Sequence, residues 1–396
     1  MEVAELLEIA RRRDPARDRK AGHVARQVHL PATLEPGLAL VVQGVRHCGK
    51  STWLAQLPHR FELPADRCLF VNFEDPRLAG HLRHETLTAL VDAFETEVGP
   101  GPIACFLDEV QHVDGWHAWL RTELDTSTER RFVVTGSNAH LLSGELGSKL
   151  TGRHLTVELF PFDFAEYRRT RPTGSVEDYL ESGGFPAPLL RDDGDRLLRS
   201  YFNDIVERDV RERVGARSSR PLRQLAQMLF ESAGSELSVR RAAGAIGMSV
   251  DTTSLYLEAL ENAYLIFRCP YFAWSERKRT VRNRKYYPVD PGLRRTCVVS
   301  GGRDLGKALE CAAYLRLRRR FGEVCYWRDR GEVDFVVMRN GVPVPVQVTW
   351  DAPKDRHLKS LDAFYAAHPQ SGEGVFFTVA DLASETGLPM ELAGRP

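Results

Sequence analysis

The feature that most limits how this chain can fold is a glycine-rich loop at residues 44–51. The loop reads G-V-R-H-C-G-K-S and matches the pattern G-x-x-x-x-G-K-S/T. It follows a continuous apolar run at residues 38–43 and precedes a helix-type pattern at residues 52–57. A strand, a glycine loop and a helix in this order place backbone N–H groups and a helix amino terminus around a phosphate. The sequence therefore predicts a nucleotide phosphate site at the end of a buried strand.

Every residue of this loop, together with Thr52 directly after it, is a candidate nucleotide ligand. The glycines let the backbone wrap the phosphates, Lys50 is expected to reach the β- and γ-phosphates, and the Ser51 hydroxyl is expected to ligate Mg²⁺. The predicted nucleotide-binding residues are Gly44, Val45, Arg46, His47, Cys48, Gly49, Lys50, Ser51 and Thr52.

Short apolar runs recur at residues 68–73, 103–107 and 132–134, with a weaker one at 155–159, and helix-length segments lie between them. Strands that alternate with helices indicate an α/β fold with a parallel sheet. One run ends in Asp108 and Glu109. Asp108 is expected on the Mg²⁺ side of the phosphates, and Glu109 is expected to polarise the attacking water. This pair favours hydrolysis over nucleotide binding alone, and argues against a GTPase-like or kinase-like site.

Three further positions are candidates for contacts to the transferred phosphate. Asn138 follows the run at 132–134 and is the first choice for holding the water or sensing the γ-phosphate, with Thr135 second. Arg153 is a candidate for stabilising phosphate charge in its own site or in a neighbouring subunit, and a solvated arginine fits the local pattern equally well. The predicted catalytic residues are thus Glu109, Lys50, Asn138 and Arg153, and the predicted metal ligands are Ser51 and Asp108.

Residues 238–262 have the spacing of a helix-turn-helix, and a strand pattern follows them. The second helix carries Asp251, Glu258 and Glu261 but neither lysine nor arginine, so reading of DNA bases is not expected. A basic run follows, and its composition suits contacts to a nucleic-acid backbone. Its candidate residues are Arg277, Lys278, Arg279, Arg282, Arg284 and Lys285. A structural lid or a protein-binding face explains the same segment equally well.

Composition excludes several classes of protein. Lys+Arg and Asp+Glu both number 54, so the chain is not a polycation that coats nucleic acid. No apolar run approaches the ~18–20 residues of a membrane-spanning helix, and the first residues lack a secretory pattern. The seven cysteines show no C-x-x-C spacing, which favours buried free thiols over a zinc site or disulfides. These observations predict a cytoplasmic protein without a membrane partner.

Together these residues resemble a family of bacterial and archaeal AAA+-like ATPases that carry a C-terminal domain of unknown function 4143. The resemblance implies ATP as the nucleotide, an AAA+/ASCE-like P-loop core, a winged-helix segment and a C-terminal fold like that of PD-(D/E)xK nucleases. We also expect a homo-oligomer. The segments that carry the resemblance are 44–51, 107–111, 135–138, 150–153, 159–164, 183–186, 256–261, 285–290 and 332–335.

The resemblance to nucleases does not extend to the catalytic residues. Glu310 and Asp334 occupy two of the expected acidic positions. The third element reads Gln347-x-Thr349 where an acid and a lysine are expected. Glutamine has no charge to hold a metal ion, and threonine cannot replace an ammonium group. Nuclease activity is therefore not expected, and Glu310, Asp334 and Gln347 are interpreted as a degenerate site.

The predicted architecture is an α/β protein with five parts. These are an N-terminal helical segment (1–30), a P-loop ATPase core with a parallel sheet (31–165), a helical segment (166–230), a winged-helix-like module (231–299) and a nuclease-like α/β domain (300–396). The predicted function is Mg²⁺-dependent ATP hydrolysis coupled to action on duplex or branched DNA. An ATP-controlled switch that binds a protein partner is the alternative, and an active nuclease is the least favoured.

Overall fold

A computed structural model describes residues 3–12, 24–137, 150, 152–298 and 304–393. The chain divides into two units, Met1–Phe160 and Pro161–Pro396. The helical segment, the winged-helix-like module and the nuclease-like domain, which the sequence predicts as separate parts, all lie in the second unit. In the described part of the chain, no helix is both long and apolar enough to cross a membrane.

The first unit contains five strands and the helices that cover them. The strands are β1 (Ala39–Gln43), β2 (Cys68–Asn72), β3 (Ile103–Asp108), β4 (Arg130–Gly136) and β5 (His154–Glu158). The α-helices described in this unit are α1 (Val3–Arg12), α2 (Lys50–Leu54), α3 (Leu57–Arg60), α4 (His84–Val98) and α5 (Trp116–Thr126). Short 3₁₀ turns lie at Ala65–Arg67, Pro76–Leu78 and Val110–His112.

The five strands form one parallel sheet in the order β2-β3-β4-β1-β5. Every residue of β1 and β3 is buried, as expected for parallel strands that helices cover on both faces. Val41, Leu107 and Val134 pack in one core with Leu6 of α1 and Trp116 of α5. The predicted parallel α/β sheet is confirmed.

The strand order determines which polar residues meet. In a parallel sheet the carboxyl ends of all strands lie at the same edge. Because β4 lies between β1 and β3, Thr135 near the end of β4 comes between the phosphate loop after β1 and Asp108 at the end of β3. The same edge receives Asn72 from the end of β2.

The second unit begins with helices and continues with two small sheets. The helices are α6 (Phe164–Thr170), α7 (Val176–Ser182), α8 (Pro186–Leu189), α9 (Gly194–Asp204), α10 (Glu212–Val214), α11 (Arg220–Glu231), α12 (Val239–Ile246), α13 (Val250–Asn262), α14 (Glu276–Val281), α15 (Pro291–Cys297), α16 (Leu305–Phe321), α17 (Asp355–Ala367), α18 (Val379–Ala383) and α19 (Met390–Ala393). A π-helical stretch, Ile205–Arg211, joins α9 to α10.

The strands of the second unit form two sheets. They are β6 (Glu236–Leu237), β7 (Ile266–Cys269), β8 (Arg284–Pro288), β9 (Val324–Arg328), β10 (Glu332–Arg339), β11 (Val342–Val348) and β12 (Val375–Phe377). One antiparallel sheet has the order β6-β8-β7, and the other has the order β12-β11-β10-β9 with only the β11–β12 pair parallel. The order of elements fits a winged-helix-like module followed by a nuclease-like domain, and both assignments remain predictions.

Aromatic side chains join these two sheets. Tyr287 of β8 stacks on Tyr314 of α16 with ring centroids 4.4 Å apart, and both rings contact Phe335 of β10. All three side chains are fully buried. The segments 285–290 and 332–335, which carry part of the family resemblance, are therefore parts of one core.

A second junction requires glycine at position 184. The Asp290 carboxylate accepts hydrogen bonds from the Gly184 N–H at 2.6 Å and from the Leu293 N–H at 2.7 Å. The Phe162 N–H donates to the Gly184 carbonyl at 2.7 Å. A Cβ atom on Gly184 would lie 2.0 Å from the Phe162 carbonyl oxygen. Only glycine allows this close approach of two backbones.

Gly184→Ala is therefore expected to destabilise the second unit by about 1–3 kcal/mol, the usual cost of overpacking a rigid site. Gly244→Ala is the matched control, because Gly244 lies in α12 where an added Cβ would meet no atom within 4 Å. That change should be neutral or stabilise by up to about 1 kcal/mol. Thermal unfolding of the two variants distinguishes them. Equal melting temperatures would contradict the close-approach argument.

Candidate functional site

The phosphate loop is held against the end of β5 by backbone contact. A Cβ on Gly44 would lie 2.0 Å from the Leu159 carbonyl oxygen. Gly49 has φ 98°, in the left-handed region that glycine adopts without strain. The Cys48 thiol, fully buried, donates to the same Leu159 carbonyl at 3.3 Å. The spacing of glycines in the motif thus follows from how tightly this loop packs.

Lys50 and Glu109 form a buried ion pair at the centre of the site. Their Nζ and Oε1 atoms are 3.3 Å apart, and the side chains are 4% and 8% exposed. Lys50 also donates to the Gly44 carbonyl at 3.1 Å. Burial is the largest single effect on each group and would lower the pKa of Lys50 and raise the pKa of Glu109. Their mutual attraction, added to the effects of Cys48 and Asp108 on Lys50 and of Gln111 and Arg46 on Glu109, shifts both pKa values in the opposite directions. Both groups are therefore charged at neutral pH.

Glu109 is fixed by its own backbone and by two further donors. It has φ 54° and ψ 45°, an uncommon conformation for a residue other than glycine. Its Oε2 accepts a hydrogen bond from Gln111 Nε2 at 2.6 Å and one from the Ser137 N–H at 3.1 Å. Strained backbone that surrounding contacts hold in place is typical of functional sites. The carboxylate is oriented before any ligand arrives.

Asp108 is bound by residues from two strand ends and from helix α2. Thr135 donates its hydroxyl to Oδ1 at 2.5 Å, and Asn72 Nδ2 donates to Oδ2 at 3.0 Å. The Ser51 side chain also hydrogen-bonds to this carboxylate. Burial, and then the neighbouring charge of Glu109, raise the pKa of Asp108. The structure thus brings the predicted metal ligands Ser51 and Asp108 together.

A second ion pair borders the loop and was not predicted. Arg46 Nη1 lies 2.8 Å from Glu74 Oε1, and His112 Nε2 lies 3.8 Å from the same oxygen. The hydrogen bond with His112, together with Arg46, lowers the pKa of Glu74 to about 2. The charges of Glu74 and Arg46 also act on Glu109. Glu74 and Asp75 come shortly after the end of β2, and Asp108 and Glu109 lie at the end of β3. This recurrence of two adjacent acids near a strand end could have identified Glu74.

The structure corrects the prediction for Arg153. This residue precedes β5, and its carbonyl accepts a hydrogen bond from the N–H of Ala39, the first residue of β1. Arg153 therefore lies at the amino edge of the sheet, opposite the phosphate loop, and its side chain pairs with Asp125. It cannot contact phosphate in its own subunit, and only a role across a subunit interface remains open. Asn138 lies outside the described residues, and Thr135 occupies the position between the loop and Asp108.

The basic run of the second unit does not form one continuous exposed face. Lys285 is 1% exposed and pairs with Glu332 Oε1 at 2.7 Å, so it cannot contact a nucleic-acid backbone and that assignment is wrong. Arg279 pairs with Glu323 at 2.5 Å, and Arg282 lies over the Tyr271 ring at 4.9 Å. Arg277 and Lys278 are exposed.

Helix α13 offers little for reading bases. The Ser249 hydroxyl caps the helix by accepting from the Thr252 N–H at 3.0 Å. The hydroxyls of Thr253 and Ser254 donate to backbone carbonyls one turn earlier in the chain. These side chains therefore already have partners within the helix.

A cleft of about 650 Å³ lies between α12, α13 and the strands β7 and β8. Four arginines line it together with two acids. These lining residues are Arg240, Arg268, Arg282, Arg284, Glu258 and Glu261. The cleft is basic on balance, with carboxylates among the cations.

Glu261 gives the second unit a specific pH dependence. Burial, opposed by Arg268, raises its pKa from 4.5 to about 7. The folded state therefore binds this proton more tightly than the unfolded state does, and stability from this group falls as pH rises from about 4.5 to 7. Glu261→Gln should match wild type near pH 5 and melt at a higher temperature than wild type at pH 8. Exposed Glu258→Gln is the control, and an equal Glu261→Gln effect at both pH values would contradict the prediction.

The degenerate nuclease-like residues do meet in space. Tyr287 donates to Glu310 Oε1 at 2.7 Å, the Val348 N–H donates to Asp334 Oδ2 at 2.8 Å, and Gln347 Nε2 donates to the Glu332 carbonyl at 2.7 Å. They line a cavity of about 490 Å³. Burial raises the pKa of Glu310, and burial with the Glu310 charge raises that of Asp334 to about 7.

Lys285, supplied by β8, brings an ammonium group to these acids, and its pKa is raised by Glu310 and Glu332 against the effect of burial. Sequence reasoning missed this placement because the lysine lies outside the strand where the motif requires it. Within the described residues, no group of three or more histidine, cysteine or acidic side chains is arranged to hold a metal ion.

Two protein-family models match the chain. Residues 37–168 match the AAA domain family, and residues 173–303 match a domain of unknown function, DUF8612. The first match covers the parallel sheet and the phosphate loop, and supports a P-loop ATPase core of the AAA type. The implied domain of unknown function 4143 is not shown, since the model that matches beyond the core is a different one.

The chain is similar to two proteins, one bacterial and one archaeal, that are both uncharacterized. An uncharacterized protein of Haemophilus influenzae is 28% identical over 336 residues, which are 80% of this chain and 84% of the relative. An uncharacterized protein of Methanocaldococcus jannaschii is 28% identical over 391 residues, which are 91% of this chain and 84% of the relative. The crystal structure of Cdc6p from Pyrobaculum aerophilum covers 67% of this chain and 89% of that one at 13% identity, with a TM-score of 0.28. A score this low supports no argument.

Proposed function

We propose that this chain hydrolyses ATP in a Mg²⁺-dependent reaction in its first unit. The observation that carries the proposal is the buried pair of Lys50 and Glu109 beside Asp108. A cation for phosphate, an acid for the metal and a second acid for water are the three groups that hydrolysis needs at a P-loop. They lie together at one sheet edge, which chance placement of acidic strand ends does not explain.

The residues fit a bound Mg²⁺. Ser51 and Asp108 supply a hydroxyl and a carboxylate oxygen that already share a hydrogen bond, and hard oxygen ligands are what this ion prefers. When bound, the ion would supply positive charge at the phosphate oxygens. Thr135 and Asn72 hold the Asp108 carboxylate in place, and they are therefore positioning residues.

Glu109 acts as the general base in this proposal. Its lowered pKa keeps it ionised at neutral pH, so it can accept a proton from water. Lys50 is shared between Glu109 and the loop carbonyls, and phosphate oxygens compete with these groups for its ammonium. Gln111 and the Ser137 N–H keep the carboxylate oriented as Lys50 turns to phosphate.

We further propose that hydrolysis is coupled to DNA, and that side chains of the second unit contact the phosphates of the DNA backbone. The cleft that contains Arg240, Arg268 and Arg284 supports this proposal, together with the exposed Arg277 and Lys278. Guanidinium groups bind phosphate well and require no base sequence. Glu258 and Glu261 in the same cleft weaken the attraction, so binding should be modest and strongly dependent on salt.

The alternative is a switch in which ATP controls binding of a protein partner. The same module exposes Trp274 at 64% and Val281 at 75%, two apolar side chains that a bound protein partner would cover. Both functions are compatible with a homo-oligomer in which Arg153 acts across the interface. Nuclease activity remains the least favoured, because Gln347 replaces an acid and Thr349 replaces the lysine that the motif requires.

The experiment is ATP turnover with Mg²⁺ or with EDTA, each without DNA and with single-stranded, duplex or four-way-junction DNA, at two salt concentrations. Turnover that requires Mg²⁺ supports the ATPase. Stimulation by one DNA form that weakens with salt supports coupling to DNA. Turnover that no DNA changes would favour the protein switch. Absence of turnover in every condition would contradict the proposed ATPase.

A further inference from the structure

We propose that Arg46 exchanges Glu74 for the γ-phosphate of ATP and stabilises the charge that develops there during hydrolysis. The phosphate loop would then supply its own catalytic arginine from within the subunit. This inference rests on the proposed ATPase activity and adds a residue to it. Arg46 is part of the predicted nucleotide-binding set, but the glycine motif assigns no role to the side chain at its position.

The backbone of Arg46 lies beside the ammonium group of Lys50. Lys50 Nζ lies 3.1 Å from the Gly44 carbonyl and 3.4 Å from the Val45 carbonyl. The Val45 carbonyl belongs to the peptide bond that leads into Arg46. The backbone of Arg46 is therefore next to the ammonium group that is expected at the β- and γ-phosphates. A long side chain that begins here can reach the same phosphate.

The present partner of Arg46 lies beside the proposed base. Glu74 Oε1 accepts from Arg46 Nη1 at 2.8 Å. Glu74 also pairs with His112, and the His112 N–H donates to the Glu109 carbonyl at 3.2 Å. The guanidinium is thus held on the side of the site where Glu109 lies, which is where water must approach the γ-phosphate.

The exchange does not leave Glu74 without a cation. His112 pairs with the same oxygen of Glu74 that Arg46 contacts, so one cation can leave while the other stays. Arginine binds phosphate through two parallel N–H donors, an arrangement that a single carboxylate oxygen does not use fully. The triphosphate also offers more negative charge than one carboxylate. The competition therefore favours phosphate when ATP is bound.

A purely structural role for the Arg46–Glu74 pair predicts different behaviour. If the pair only anchors the loop, removing either partner loosens the loop and weakens ATP and ADP binding alike. If Glu74 competes with the γ-phosphate, removing Glu74 strengthens ATP binding relative to ADP, whereas removing Arg46 weakens it. The two roles thus predict opposite effects of Glu74→Gln on ATP discrimination.

The test compares wild type with Arg46→Ala, Arg46→Lys and Glu74→Gln. Steady-state kinetics give kcat and KM, and titration calorimetry with Mg²⁺ gives the affinities for ADP and for a non-hydrolysable ATP analogue. Arg77→Ala is the matched control, because Arg77 pairs with the adjacent acid Asp75 at 2.7 Å. Thermal unfolding of each variant shows whether it is folded.

Arg46→Ala is expected to lower kcat by about 100-fold or more, as for loss of other groups that stabilise developing charge. The kcat of Arg46→Lys should be little higher than that of Arg46→Ala, since lysine lacks the planar pair of donors. Arg77→Ala should keep wild-type kcat, and Glu74→Gln should favour the ATP analogue over ADP. The inference would be overturned if Arg46→Ala and Glu74→Gln each weakened the binding of ADP and of the ATP analogue by the same factor. If Arg46→Ala retains wild-type turnover, the inference about Arg46 is overturned but the proposed ATPase activity is not. If the wild type shows no turnover, the proposed function is overturned as well.

Discussion

Glu109→Gln is expected to bind ATP at least as tightly as wild type and to hydrolyse it about 1,000-fold more slowly. A rate decrease of this size is usual when a general base is lost. Glutamine keeps an acceptor for Gln111 and for the Ser137 N–H. Its neutral amide loses the ion pair with Lys50, which leaves the ammonium group more available to phosphate. Binding and hydrolysis should therefore separate in this one variant.

Nucleotide titration and single-turnover hydrolysis measure the two effects independently. Glu123→Gln is the matched control, since Glu123 is a half-buried acid of the same unit that pairs with Arg130, away from the phosphate loop. The control should keep wild-type turnover. Hydrolysis by Glu109→Gln within about threefold of wild type would show that another group activates water, and Glu109 would then only position Lys50.

The pH profile provides a further check on the same residue. The base must be ionised, and the pKa of Glu109 is lower than its ordinary value of 4.5. The kcat/KM for ATP, which reports the groups of the free enzyme, should consequently stay constant from neutral pH down to about pH 5 and fall only when Glu109 is protonated. A loss of activity centred between pH 6 and 7 would indicate a different titrating group.

Much of the nucleotide site could be predicted because its signals are local. A buried strand followed by a glycine loop identifies Lys50 and Ser51, and a buried strand that ends in two acids identifies Asp108 and Glu109. In each case the residues of one segment determine the role, and the parallel sheet then brings the segments to one edge. The buried strands, their common direction and the meeting of Ser51 with Asp108 at one edge therefore follow from the sequence alone.

The contacts that sequence reasoning missed join segments that are far apart in the chain. Arg46 meets Glu74 across strand ends, and Lys285 meets Glu332 across two sheets. Neither pairing can be inferred without knowing the order of strands in the sheet. The role of Arg153 in its own subunit could have been excluded from the sequence, because a residue that precedes a predicted parallel strand must lie at the opposite edge from the loop that follows β1.

Lys50→Ala is expected to abolish ATP binding and also to destabilise the first unit by about 3–5 kcal/mol, the cost of leaving one partner of a buried ion pair alone. Glu109 is 6% exposed and has Lys50 as its ion-pair partner in the structure. Without that charge, burial raises the pKa of Glu109, and the variant must either bury an anion or bind a proton. The double variant Lys50→Ala/Glu109→Gln should recover much of the stability but none of the hydrolysis.

The pH dependence gives the sign of this effect. In wild type the lowered pKa of Glu109 contributes stability that is present above pH 4.5 and is lost as pH falls through the folded-state pKa. In Lys50→Ala a raised pKa reverses this contribution, so stability falls as pH rises above 4.5. The difference from wild type should accordingly be largest near pH 8 and smallest near pH 4. Hydrogen exchange of the β3 and β4 amides measures it within the first unit, and an equal difference at both pH values would show that lost packing of the lysine stem, and not the unpaired carboxylate, causes the destabilisation.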